Sequence, residues 1–304
     1  PDATTLVRIE DGKIVSEKVY DDDTTDIVTD VLARRTYDEN GNFKIRGLAL
    51  TELNEADKDN VYVGLTEGKA YIQGYEVVKP YQTKVKLPFS RTTSLVQNEP
   101  KVYLSSSNKY KLNNYPVKQL NQMVVDMQET IEMTRGVQKD GYDYLPHTPV
   151  IEIVSIQGYT QGTDYQLSAD RVDWSVPGGT EPATGSTYTI TYKYKKNLNL
   201  QTEVELKEES SNGETYNYVV FKSGVSKPIN NTQMTVDYDY YLARKDLILL
   251  DKNGETSYLM GTPAPQLTAQ TPINSDDSLL VIGSVMLMPD SSVVYIVNQE
   301  TTRL

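Results

Sequence analysis

Hydrophobic and polar residues alternate with a period of two along most of the chain, which is the mark of strands that bury one face. Val61, Val63 and Leu65 alternate with Tyr62, Gly64 and Thr66. Met123, Val125, Met127, Ile131 and Met133 alternate with Val124, Asp126, Gln128, Thr130, Glu132 and Thr134, and Glu129 is the one break in the apolar phase. Helical spacing also fits part of that segment, but the alternation predicts a strand. Tyr188, Ile190, Tyr192 and Tyr194 alternate with Thr189, Thr191, Lys193 and Lys195. Residues 150–156 are apolar on both faces apart from Glu152 and Ser155, which predicts burial on both. In residues 68–77, Ala70 and Ile72 point one way and Tyr71, Gln73 and Tyr75 the other. Gly68 and Gly74 bracket that strand, as glycines do at a turn, a bulge or a close backbone approach.

Three Asn-Gly pairs accept positive φ and predict hairpins. Asn40-Gly41 would join two short strands within residues 34–45, Asn212-Gly213 would join 203–206 to 216–221, and Asn253-Gly254 would join 247–250 to 258–260. One helix is predicted. Thr24 or Thr25 can cap it, with Ile27, Val28, Val31 and Leu32 on one face and Asp21, Asp22 and Asp23 before its positive end. Residues 262–277, rich in Pro, Thr and Gln, read as a long loop.

Residues 146–197 open on Pro146-His147-Thr148-Pro149, close on Lys195-Lys196-Asn197, and carry their own alternating pattern. Similar alternation resumes on either side of them. The expected fold is therefore mostly β: a β-sandwich-like larger domain, discontinuous over 1–145 and 198–304, with an inserted small β-sandwich domain over 146–197 and one short N-terminal helix. A chain of 304 residues is long enough for two such cores.

Composition narrows the function. The formal charge of -12 disfavours nonspecific binding to nucleic acid or to an anionic membrane. Lys193, Lys195 and Lys196 interleave with Tyr192 and Tyr194, as on a strand with one solvated face. No apolar run approaches the ~20 residues of a membrane span, so no membrane insertion is expected. There is no Cys, hence no disulfide and no thiolate ligand or nucleophile. The chain starts at Pro1 in mid-pattern and is expected to be a fragment or a processed form of a longer protein. Tyrosine is the outlier, at 23 against 3 Phe and 1 Trp. Tyr suits the half-buried surface of edge and outer strands, and it is also enriched where proteins meet partners.

Candidate chemistry is sparse. His147 is the only histidine, so a catalytic triad has one candidate and a structural role is expected. No GxSxG or HExxH motif is present. Asp21, Asp22, Asp23 and Asp26 could hold calcium, but helix entry accounts for the same residues. In Asp251-Lys252-Asn253-Gly254-Glu255 the glycine stands fourth and not sixth, which fits a hairpin and not a calcium loop. Trp174 with Tyr159 and Tyr165 could form a sugar-stacking platform, although a lone Trp in a small β unit is expected in the core. No catalytic, cofactor-binding or metal-binding residue is assigned. Tyr71, Tyr75, Tyr159, Tyr165 and Trp174 are the candidate partner or glycan contacts.

Three blocks carry a resemblance. The first is Arg35-Thr36-Tyr37-Asp38-Glu39-Asn40-Gly41 followed by Gly68-Lys69-Ala70-Tyr71-Ile72-Gln73-Gly74-Tyr75-Glu76. The second is Asp164-Tyr165-Gln166-Leu167-Ser168 followed by Val172-Asp173-Trp174-Ser175. The third is Tyr240-Tyr241-Leu242-Ala243-Arg244-Lys245-Asp246-Leu247-Ile248. In this order and spacing the chain resembles a phage tail and baseplate family whose shared domain has no assigned function. The resemblance implies a virion structural part without enzymatic activity, in a tail baseplate, a tail-fibre attachment region or a phage-tail-like particle. It also implies assembly in the bacterial cytoplasm, as a homotrimer and with other tail and baseplate proteins. A carbohydrate-binding module that contacts host-surface glycan is the alternative. A glycan-cleaving tail enzyme is the second, although its carboxylate pair is no constraint in a chain with 42 Asp and Glu.

Overall fold

The structure, a computed structural model, describes residues 3–10, 13–21, 24–211 and 214–299. It is mostly β, with a single helix among the described residues. In chain order the first elements are β1 (Ala3–Glu10), β2 (Lys13–Asp21), α1 (Thr24–Asn40), β3 (Phe43–Gly47), β4 (Leu50–Ala56), β5 (Asn60–Leu65), β6 (Gly68–Ile72), β7 (Tyr75–Lys79) and β8 (Thr83–Pro88). There follow β9 (Thr93–Val102), β10 (Lys109–Lys111), β11 (Val117–Thr134), β12 (Tyr142–Tyr144), β13 (Val150–Ile156), β14 (Gln166–Ser168), β15 (Arg171–Asp173), β16 (Thr187–Asn197), β17 (Val204–Ser211), β18 (Glu214–Phe221) and β19 (Gln233–Tyr241). The chain ends with β20 (Arg244–Leu250), β21 (Thr256–Leu259), β22 (Leu280–Leu287) and β23 (Val294–Asn298).

The chain divides into two compact units. The first is Pro1–Thr92 with Leu242–Leu304, and the second is Thr93–Tyr241. The expected boundary at 146 and 197 lies elsewhere because β16 pairs with β11 from Val124↔Asn197 to Thr134↔Thr187. Strands inside and outside the presumed insert thus belong to one sheet. A discontinuous domain with an insertion describes the chain, but the insertion is about three times longer than 146–197 and includes the long central strand.

The first unit has a β1-β2 pair and three further antiparallel sheets, β3-β6-β7, β4-β5-β8 and β21-β20-β22-β23. Val61, Val63 and Leu65 of β5, Ala70 and Ile72 of β6, and Ile248, Ile282, Val285 and Leu287 meet in one aliphatic core. The alternation of β5 and β6 predicts those inward residues correctly. The Asn253-Gly254 hairpin is present between β20 and β21, with Asp251 Oδ1 accepting from the Asn253 and Glu255 amides at 2.9 and 2.8 Å. β17 and β18 pair as expected, while their turn at Asn212-Gly213 lies outside the described residues.

The Asn40-Gly41 pair is not a hairpin turn. α1 runs on through Asn40, and Gly41 ends it in the left-handed region at φ 65°, its amide donating to Tyr37 O at 2.7 Å. A helix C-terminus and a hairpin turn ask for the same positive-φ residue. Local pairs decide between them: Arg35 reaches Glu39 one turn on at 2.9 Å, and Thr36 Oγ1 donates to Leu32 O.

The second unit has a five-stranded sheet, β13-β16-β11-β19-β9, and two three-stranded sheets, β10-β18-β17 and β12-β15-β14. Residues 150–156 are not buried on both faces. β13 is an edge strand with two register shifts; Ile153 and Ile156 point inward, and Ile151 and Val154 are exposed.

Candidate functional site

The second unit concentrates its polar groups around Arg135, the residue after β11. All five N–H donors of this buried guanidinium are used. Nε and Nη2 donate to Glu181 Oε2 at 3.0 and 2.5 Å, Nη2 also to Gln138 O, and Nη1 to Asp143 Oδ1 at 3.2 Å and to Gly136 O. Asp143 is equally occupied. Its Oδ1 also accepts from the Gly136 amide at 2.8 Å, and its Oδ2 accepts from Trp174 Nε1 and from the Tyr188 hydroxyl, both at 2.9 Å. Burial, then the Asp143 charge, raises the Tyr188 phenol far above its usual range, so Tyr188 stays a donor. The network clamps the loop between β11 and β12: Asp140 N donates to Glu181 Oε1, and Trp174 N donates to Gly141 O. Every donor is committed internally, so the arrangement positions backbone and offers no spare group to a substrate.

The proposed aromatic platform is inside the protein. Trp174 and Tyr165 are each 2% exposed, and Tyr159, Tyr165 and Tyr188 surround the indole at centroid distances of 5.2, 5.7 and 5.4 Å. The sequence rightly brings Trp174, Tyr159 and Tyr165 together, but a buried indole cannot stack on a sugar, and the core alternative holds. Tyr71 and Tyr75 belong to the first unit and are half-buried in the β6–β7 hairpin. Tyr71 stacks on Phe43 at 5.4 Å and donates to Glu76, and Tyr75 donates to Asp30.

His147 stacks on Tyr194 at 4.6 Å with Nε2 3.5 Å from Glu129 Oε1. Glu129, the break in the β11 pattern, stands directly opposite Tyr192 and accepts its hydroxyl. Burial, then this bond to Glu129, raises the Tyr192 phenol. The broken alternation was therefore the visible trace of a polar pair within the sheet. The basic cluster is neutralised residue by residue: Lys193 pairs with Glu152, Lys195 with Asp126 and Lys196 with Glu203, at 2.6, 3.0 and 2.5 Å.

A cleft of about 380 Å³ lies beside the network, lined by Glu132, Gln157, Tyr159, Tyr188 and the 182–189 segment. Glu132 is its one carboxylate, where acid–base glycoside hydrolysis uses two. Among the described residues no group of three or more His, Cys, Asp or Glu is placed to hold a metal ion; Asp22 and Asp23 of the Asp21–Asp26 cluster lie outside the described residues. No described helix is long and apolar enough to cross a membrane.

One surface feature was not anticipated. On β12, Tyr142 and Tyr144 face outward beside Arg171 of β15. The residues are 27 apart in sequence for the Tyr144–Arg171 bond, and no local pattern signals the pairing.

Fold and polar groups together define a mostly β protein of two compact units, whose buried ionic groups serve as internal scaffold. The chain belongs to the family described as a domain of unknown function, DUF4815, whose model matches residues 1–304. No curated protein and no solved structure matches it.

Proposed function

We propose that the protein is a structural component of a phage tail baseplate, a tail-fibre attachment region or a phage-tail-like particle, and that it acts by assembling with copies of itself. The observation that carries the assembly reading is the orientation of α1. Its apolar residues Val28, Val31 and Leu32 are 58%, 44% and 59% exposed, while Asp30 and Ala33 are the buried positions. An amphipathic helix of an isolated subunit turns its apolar face to its own core. Among the described residues nothing covers that face, and an exposed apolar patch of this kind marks an interaction site. The virion context rests on the three-block resemblance, and a second copy of the chain is the occupant it implies for the helix face.

Light scattering at micromolar concentration tests this. A homotrimer is expected for the wild type, and Val28→Glu with Leu32→Glu should give a monomer with an unchanged circular dichroism spectrum. A wild-type chain that stays monomeric, or a double variant that still assembles, would overturn the role given to α1.

A further inference from the structure

β12 turns two tyrosines to solvent on one face, one pleat apart: Tyr142 is 44% and Tyr144 72% exposed. The register sets Arg171 of β15 opposite Tyr144. Its guanidinium carbon lies 3.9 Å from the Tyr142 ring centroid and 5.8 Å from that of Tyr144. Nη1 makes one hydrogen bond, to the Tyr144 hydroxyl at 3.3 Å, and Nε is buried without an acceptor. The guanidinium has one charged neighbour, Asp173 on the same face, whose carboxyl it helps to hold below its usual range. The acid on the same face, Asp173, is occupied. Its Oδ1 accepts from Ser175 N and Oγ, and its Oδ2 accepts from Gln166 Nε2 at 2.9 Å. Gln166 and Ser168 of β14 complete the face.

We propose that this face binds an acidic saccharide, with the sugar carboxylate on Arg171 and a pyranose ring against Tyr144. A guanidinium stacked on an aromatic ring keeps its in-plane donors at the edge, where they can meet a carboxylate in addition to the neighbouring Asp173. An exposed phenol presents an apolar face to sugar C–H groups and a polar tip to hydroxyls. The adjacent Gln166 and Ser168 suit sugar hydroxyls better than the apolar side chains of a peptide. The opposite face of the same sheet carries Asp143 and Val172 into the core, so the clamp around Arg135 fixes the strand that presents the tyrosines. The inference is independent of the assembly reading: it concerns the second unit alone, and its failure would not alter the oligomeric state.

Titration calorimetry of the whole chain with an oligogalacturonate, against a neutral malto-oligosaccharide of equal length, tests it. Saturable binding of the acidic oligomer alone is expected, weakening with added salt. Tyr144→Ala and Arg171→Gln should each weaken it by about tenfold or more, with Trp174 fluorescence unchanged as a check on folding. Tyr81→Ala, an exposed tyrosine of the first unit, should leave it unchanged. Absence of binding, equal binding of the neutral oligomer, or equally tight binding of a polyglutamate peptide would each overturn the proposal.

Discussion

In the first unit the hydrophobic core cluster is aliphatic, and Val63, Leu65, Ile72, Leu87, Ile248 and Ile282 are all fully enclosed. In the second unit tyrosine shares the core with aliphatic side chains: Tyr165, Tyr188, Tyr192, Tyr194, Tyr238 and Tyr240 are buried, with Met123, Met127 and Trp174, beside residues such as Val125, Ile190 and Val236. The first core is non-directional, since apolar area stabilises in any arrangement that excludes water. The second is directional, because each buried hydroxyl must meet an acceptor. Tyr188 meets Asp143, Tyr192 meets Glu129, and Tyr238 meets Glu99. The first unit also holds a buried ion pair. Arg244 meets Asp246 through two bonds of 2.8 Å, and the pair also engages Pro88 O and Gly261 N. The tyrosine excess therefore does not mark surface strands alone, because a large share of it builds a core in which strand register is fixed by hydrogen bonds.

The largest effect expected from this contrast is at Asp143. Asp143→Ala takes a shared carboxylate from Arg135 Nη1, the Trp174 indole N–H and the Tyr188 hydroxyl together. Removing one partner from a buried ionic network costs about 3–5 kcal/mol. Trp174 is the only tryptophan and lies in the second unit, so its fluorescence in a urea titration reports on that core. A midpoint close to wild type would mean that the network is solvated and that the directional core is an overstatement.

A smaller cost is expected in the first unit, where backbone proximity and not hydrogen bonding is decisive. Gly74 sits at φ 79° in the two-residue turn between β6 and β7, and a Cβ there would lie 1.7 Å from Ala33 O of α1. Gly74→Val combines left-handed strain with that clash and should cost roughly 1–3 kcal/mol. The effect should appear in the circular dichroism midpoint. An unchanged midpoint would show that α1 can move away from the hairpin freely.

These particulars also show what a sequence reveals here. Period-two patterns give the strands of 61–65, 123–133 and 188–194 and their buried faces, because alternation is a local consequence of the pleat. Gly74 is legible for the same reason: a glycine two residues after Ile72 has few uses other than a turn or a close approach. The identity of the partner strand is not local. Nothing in residues 146–197 says that Tyr192 will face Glu129, so a unit boundary was expected where a sheet continues. The outward apolar face of α1 was visible as amphipathy, but not its direction. The Tyr142–Arg171–Tyr144 ladder needs two strands in register before its residues meet, and so had no signal at all.

The smallest effect sharpens the comparison most, since it removes one oxygen and little volume. Tyr238 is fully buried and donates to Glu99, while its oxygen accepts from Asn114 N and Nδ2 at 3.1 and 3.2 Å. Glu99 keeps Lys101 at 2.8 Å and the Asn113 amide at 3.1 Å, so Tyr238→Phe leaves the carboxylate partly satisfied. The cost at neutral pH should be about 1 kcal/mol. Burial, then the bond to Glu99, pushes the Tyr238 phenol from 10.0 up to about 12. A raised folded-state pKa means that the contribution of the protonated phenol is complete below pH 10.0 and is lost as pH rises through about 12. Phenylalanine has no such proton to lose. The gap between the wild type and Tyr238→Phe in urea titrations should therefore be constant from neutral pH to about pH 9 and close progressively above that. A gap that persists undiminished into strong alkali would show that the hydroxyl stabilises through shape and not through its hydrogen bond, and the directional character of the second core would then rest on Asp143 and Glu129 alone.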